Sequence, residues 1–186
     1  MTTKEKFEKY IMGTYTRQDV CLDRGIKEKI YDEAGKQYID FGSGIGTNSL
    51  GICDDRWVSY VCNQAHKIQH TSNLYYNAPQ ADVAENLCER TGYSKVFFGN
   101  SGAEANECAI KLARKYSFDK YGKGRHNIIT LVNSFHGRTL TTLSATGQDV
   151  FHNYFFPFTE GFIYVEANNI EDLKSKIDDS VCAIMF

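Results

Sequence analysis

Val96-Phe97-Phe98-Gly99-Asn100-Ser101-Gly102-Ala103-Glu104 reads as the end of a strand, a glycine-bearing turn and the first turn of a helix. A short buried strand is expected at residues 95–98 and the helix over 102–121. A strand feeding a helix through a tight turn is the building step of an α/β sheet, and it delivers a helix amino terminus to a strand end. Unbonded N–H groups and the positive end of the helix dipole converge there, and Gly102 lets an anion approach with no side chain in the way. Ser101 and Glu104 also form a capping box, which satisfies such N–H groups without any ligand. From this segment alone, phosphate binding and a plain cap both stand.

The chain that follows repeats the alternation. Strands are expected at 127–132, 162–165 and 181–186, and helices at 139–145 and 170–177, which implies parallel βαβ units with helices covering the sheet. Val181-Cys182-Ala183-Ile184-Met185-Phe186 is apolar throughout, as a central parallel strand would be. Functional loops of open α/β sheets begin at that end of a strand, so the expectation is a truncated sequence. Directly after the 127–132 strand stands Asn133-Ser134-Phe135-His136-Gly137-Arg138-Thr139. This loop combines an aromatic face suited to a planar cofactor with a guanidinium able to pair with both oxygens of a carboxylate. Taken singly, Phe135 also fits core packing, His136 a loop hydrogen bond and Arg138 a solvated charge.

Towards the amino terminus, Ile30-Tyr31 and Tyr38-Ile39 flank Asp32-Glu33-Ala34-Gly35, a hairpin over 26–41 turning at the glycine. Gly42, Gly44 and Gly46 then make a backbone free to take positive φ or to approach something closely. Asp54 is placed to cap a helix with Trp57, Val58, Val61, Ala65 and Ile68 on one face, and Pro79 opens another through Val83 and Leu87 that Gly92 ends. Neither Gly-x-x-x-x-Gly-Lys-Ser/Thr nor a complete dinucleotide glycine fingerprint occurs, so nucleotide binding loses its usual signatures.

Composition narrows the classes further. Of 186 residues, 42% are apolar and 24% charged, with a net charge of -2, which is the balance of a soluble globular chain without the basic excess that nucleic acid requires. Residues 1–10 alternate lysine and glutamate rather than forming the apolar core of a secretory signal, and no later run is long enough to span a bilayer; the expected compartment is the cytoplasm. None of the six cysteines forms a Cys-x-x-Cys pair, so they are expected to be reduced and buried rather than bridged or bound to metal.

Taken together and in order, these segments resemble the class III, fold-type-I aminotransferases, and within them the acetylornithine type. The resemblance runs from residues 30–41 through Gly44-Ile45-Gly46, Leu50-Gly51, His70-Thr71-Ser72-Asn73, Asn100-Ser101-Gly102-Ala103-Glu104-Ala105-Asn106-Glu107 and Lys111-Leu112-Ala113-Arg114 to Phe135-His136-Gly137-Arg138. It implies an α/β fold, the amino-terminal part of a pyridoxal-phosphate-dependent transferase. Residues 1–48 would contribute to a small domain, and 49–186 would form the first part of the large cofactor-binding domain. It implies pyridoxal 5'-phosphate held by Ser101, Gly102, Ala103, Phe135 and His136, with Phe135 stacked on the ring, and a substrate carboxylate bound by Arg138. The implied reaction moves an amino group between N-acetylornithine and 2-oxoglutarate, in a homodimer whose partner-facing segment is expected near 71–76. Ornithine, succinylornithine and 4-aminobutyrate enzymes share these motifs. The sequence departs from the family at Ile52-Cys53-Asp54-Asp55, where a histidine-proline pair is frequent, and in lacking the Schiff-base lysine and the acidic partner of the pyridine nitrogen. Both would lie beyond Phe186, and Lys95 and Lys111 do not match the family's position. The chain alone is therefore expected to be inactive and to expose apolar sheet, with a non-catalytic phosphate-binding scaffold as the reading from another class.

Overall fold

The computed structural model describes residues 1–186, which divide into two compact units, 1–78 and 79–186.

In the first unit, helix α1 (Thr3–Tyr10) is closed by a capping box between Thr2 and Glu5. Strands β1 (Leu22–Ile26), β2 (Lys29–Asp32) and β3 (Gln37–Ile39) form an antiparallel sheet in that order. The expected hairpin is β2 and β3. Its turn is held by Asp32, whose carboxylate accepts from the Lys36 N–H at 2.8 Å and the Tyr38 hydroxyl at 2.8 Å, with Gly35 at φ 82°. The Tyr38 hydroxyl and then the Lys36 N–H hold the Asp32 carboxyl below its ordinary value. Strand β1 was not expected, because Leu-Asp-Arg-Gly-Ile has no apolar alternation; pairing to β2 makes it a strand. A four-residue turn, α2 (Ser43–Gly46), takes positive φ at Gly44 and Ile45. Helix α3 (Asp55–Lys67) starts where expected, with the Trp57 N–H donating to Asp54 Oδ1 at 3.1 Å. Its apolar stripe finds no covering layer within this unit, and no residue of α3 is buried.

The second unit opens with α4 (Ala78–Thr91), which ends at Gly92. The strand expected at 95–98 does not form. A strand exists only through a bonded neighbour, and residues 95–98 pair with no strand of the sheet. Phe97 is accordingly 60% exposed. Helix α5 (Gly102–Tyr121) follows, then β4 (Asn127–Leu131), α6 (Leu140–Ala145), the short 3-10 turn at Asp149–Phe151, β5 (Phe162–Val165), α7 (Ile170–Lys176) and β6 (Val181–Ile184). The sheet is parallel, ordered β5-β4-β6, as the alternating pattern requires. The last strand is shorter than expected, although the Met185 N–H still donates to the Ile129 carbonyl at 2.8 Å. Alternation along β4 sends Ile129 and Leu131 to one face, where they pack with Val165, Val181, Ile163 and Leu173 of α7. Ile128 and Thr130 point to the other face, on the side of Ile110 of α5. The unit is thus a three-layer α/β sandwich.

The cysteines are free, yet none is buried, and Cys53 and Cys62 are exposed. The expectation of burial fails because the surfaces that carry them are uncovered. The accessible surface totals 14823 Å², whereas a compact monomer of 21.1 kDa exposes about 9,000 Å². Seven apolar residues are buried: Ile110, Ile128, Ile129, Leu143, Ala145, Val165 and Val181. The expected exposure of apolar surface is therefore present and extensive. No helix is long and apolar enough to cross a membrane.

Candidate active site

The two chemistry-bearing segments of the second unit meet. Ser101, in extended conformation, caps α5 by accepting from the Glu104 N–H at 3.2 Å. The Glu104 carboxylate reaches back to the Asn100 N–H and side-chain amide, one residue earlier than a standard capping box would place it. These bonds, that of the Asn100 side chain first, hold the Glu104 carboxyl below its ordinary value. The cap consumes the N–H of Glu104 and leaves those of Gly102 and Ala103 without a partner. A Cβ added at Gly102 would meet nothing within 4 Å. The helix end is therefore capped and still open, with two N–H donors beside empty space, an arrangement able to accept an anion such as phosphate.

The loop after β4 is fastened from two sides. On one side runs a strap over 146–148. Thr146 Oγ1 accepts from the His136 N–H at 3.0 Å, the Gly147 carbonyl accepts from the Asn133 N–H at 2.6 Å, and the Gln148 side chain donates to the Ser134 carbonyl at 3.0 Å. Gly147 lies so close to β4 that a Cβ there would sit 2.1 Å from the Leu131 carbonyl oxygen. On the other side is α5, where Asn106 Nδ2 donates to the His136 carbonyl at 2.8 Å and Thr139 Oγ1 donates to Glu107 Oε1 at 2.6 Å. Gly137, at φ 133°, packs directly on Ala103, whose Cα would lie 3.1 Å from an added Cβ.

Between these fastenings Phe135 is 53% exposed, and the Arg138 guanidinium lies 6.0 Å from its ring centroid. An aromatic face and a cation thus stand beside each other on the loop that rests on the helix end. The second unit brings the two motifs together, and residues 12–186 match the family described as "Aminotransferase class-III". The chain belongs to the class-III aminotransferases.

Among curated class-III relatives, it is 53% identical to the acetylornithine aminotransferase of Haemophilus ducreyi over 178 residues, covering 95% of this chain and 45% of that protein. It is 50% identical to the acetylornithine aminotransferase of Caldanaerobacter subterraneus subsp. tengcongensis, covering 100% of this chain and 47% of that protein. The chain spans about half the length of the curated relatives it matches. The crystal structure of the ornithine aminotransferase from Toxoplasma gondii superposes with a TM-score of 0.92 at 29% identity, covering 99% of this chain and 45% of that one. The fold-type-I transferase architecture expected from sequence is therefore present.

Of the sequence-predicted residues, Ser101, Gly102 and Ala103 lie at the end of α5, and Phe135 and Arg138 flank the buried part of the facing loop. His136 is different. Its side chain is 6% exposed, and Nε2 is buried without a hydrogen-bond partner. Burial pushes its pKa below the ordinary value of 6.5, so the ring is neutral at neutral pH. The sign follows directly: the unfolded chain binds a proton at higher pH than the folded one, so this contribution to stability is complete above 6.5 and declines as pH falls below it. Denaturant unfolding at pH 7.5 and 5.5 is expected to show the lower stability at 5.5, with His136→Gln reducing the difference. An unchanged difference in that variant would assign the acid sensitivity elsewhere.

Sequence reasoning assigned no role to Asn106, Glu107, Thr139 or the strap at 146–148. The first two lie four residues beyond Gly102 and Ala103, one helical turn away on the same face, but that spacing does not tell which loop they bond.

Proposed function

We propose that the protein carrying this chain is a pyridoxal-phosphate-dependent aminotransferase that moves an amino group between N2-acetyl-L-ornithine and 2-oxoglutarate. The single observation that carries this reading is the joining of the open end of α5 to the Phe135–Arg138 loop in one packed piece. The N–H groups of Gly102 and Ala103, with Ser101, hold the cofactor phosphate; Phe135 stacks on the ring, and His136 supports it from within. Arg138 pairs with a substrate carboxylate in the bidentate manner of a guanidinium. When bound, the cofactor supplies the electron sink for amino-group transfer, and the protein supplies orientation and electrostatics.

Residues 1–48 contribute to the small domain and 49–186 to the large one. The Schiff-base lysine and the acidic partner of the pyridine nitrogen lie outside these residues, so residues 1–186 alone are inactive. The working unit is a cytoplasmic homodimer, in which the exposed Leu74, Tyr75 and Tyr76 face the partner. Identity supports the acetylornithine type over the ornithine type, at 53% against 29% for the relatives compared above.

Intact mass of the protein from its source, before and after borohydride reduction, tests the reading. A mass about twice 21.1 kDa that gains a pyridoxyl adduct is the expected result. No adduct would favour a non-catalytic phosphate-binding scaffold. Preference of the purified protein for free ornithine, or for succinylornithine or 4-aminobutyrate, would move it to another branch of the family.

A further inference from the structure

The proposed chemistry requires three groups at fixed spacing: the phosphate donors on α5, the ring-stacking Phe135 and the carboxylate-binding Arg138. The first belongs to a helix end and the other two to a loop about thirty residues later in the chain. We infer that Asn106 and Glu107 are the positioning residues that lock this spacing, an inference that rests on the aminotransferase reading.

Each holds one end of the functional span. Asn106 donates to the carbonyl of His136, the residue directly after Phe135, at 2.8 Å. Glu107 accepts from the hydroxyl of Thr139, the residue directly after Arg138, at 2.6 Å. That hydroxyl also accepts from the Thr142 N–H at 3.1 Å as the cap of α6, so its donor and its acceptor capacity are both in use. The hydroxyl-to-carboxylate bond is charge-assisted, the stronger class of hydrogen bond.

Helical geometry gives the pair their effect. Asn106 lies one turn below Gly102, and Glu107 one turn below Ala103, about 6 Å along the axis. The face of α5 that presents the phosphate donors at its end therefore presents the loop anchors one turn further in. Gly137, seated on Ala103 between the two anchors, leaves the span little freedom to tilt. Loss of Glu107 releases the Arg138 end, whereas loss of Asn106 releases the Phe135 end. The two substitutions should thus be separable by what they disturb.

The test uses the full-length holoenzyme and the variants Glu107→Ala, Glu107→Gln, Asn106→Ala, Thr139→Val and Thr139→Ser. Glu107→Ala is expected to raise KM for 2-oxoglutarate about tenfold with a smaller change in kcat, and Glu107→Gln, which keeps an acceptor, to recover most of it. Thr139→Val should reproduce the KM rise and Thr139→Ser should not, which keeps the test open if Glu107→Ala fails to accumulate. Asn106→Ala should alter the visible circular dichroism of the bound cofactor while the cofactor still copurifies. If these variants lower Tm but leave KM and the dichroism band unchanged, the bonds are merely structural and the inference falls. If the wild-type protein holds no cofactor, the aminotransferase reading fails first, and the two failures are told apart.

Discussion

Gly102→Asp is expected to weaken cofactor binding severely while leaving the fold as stable as before, or slightly more so. An aspartate at the first turn of a helix favours the helix, through the dipole and by replacing glycine, by up to about 1 kcal/mol. Its side chain would enter the open space beside the Gly102 and Ala103 N–H groups. A carboxylate near 4 Å from a phosphate costs about 4 kcal/mol per unit of phosphate charge at a surface-like effective dielectric. After relaxation and screening, a loss of about 3 kcal/mol, roughly 150-fold in affinity, is the expected size. Titration of the apoenzyme with pyridoxal phosphate reads the affinity, and thermal unfolding of the same sample reads the fold. Gly102→Ala serves as the control, since it adds volume without charge. Retention of wild-type affinity by Gly102→Asp would return this helix end to the status of a plain cap.

Gly137→Ala is expected to damage fold and site together. At φ 133° an alanine is strained, and its Cβ would lie 2.6 Å from Thr142 Oγ1 and 2.8 Å from the Ala103 Cβ. Neither neighbour can withdraw easily, because Thr142 belongs to the cap of α6 and Ala103 to the first turn of α5. A cost of about 3 kcal/mol follows, a fall in Tm of roughly 6–12 °C. Adding Ala103→Gly removes one of the two collisions and should recover part of the loss, the coupling expected of residues in contact. A variant with wild-type Tm and KM would refute the close packing of loop on helix.

Local pattern carried most of the fold to the page. The helix caps at Asp54 and Ser101, the hairpin turn at Gly35 and the parallel alternation after residue 121 all depend on residues near one another in sequence. The misses share a different cause. Residues 95–98 have a strand's composition but no bonded neighbour, and β1 has a poor composition but a good one; pairing partners are not written in the segment itself. Burial of the cysteines was misjudged for the same reason, since apolar spacing shows which face wants cover and not whether cover is present. At the site, the residue types of the two loops were legible, whereas their fastening through Asn106, Glu107 and Thr146 was not. Hydrogen bonds spanning ten to thirty-two residues leave no local signature.

The double fastening of residues 133–139 has a thermodynamic consequence. Ordering a free loop on ligand binding would cost about 1–2 kcal/mol per residue in backbone entropy, on the order of 10 kcal/mol for seven residues. Here that ordering accompanies folding, because the strap and α5 immobilise the loop from both sides before any ligand arrives. An incoming molecule therefore meets a rigid receptor, and its intrinsic contacts translate into affinity with little conformational penalty.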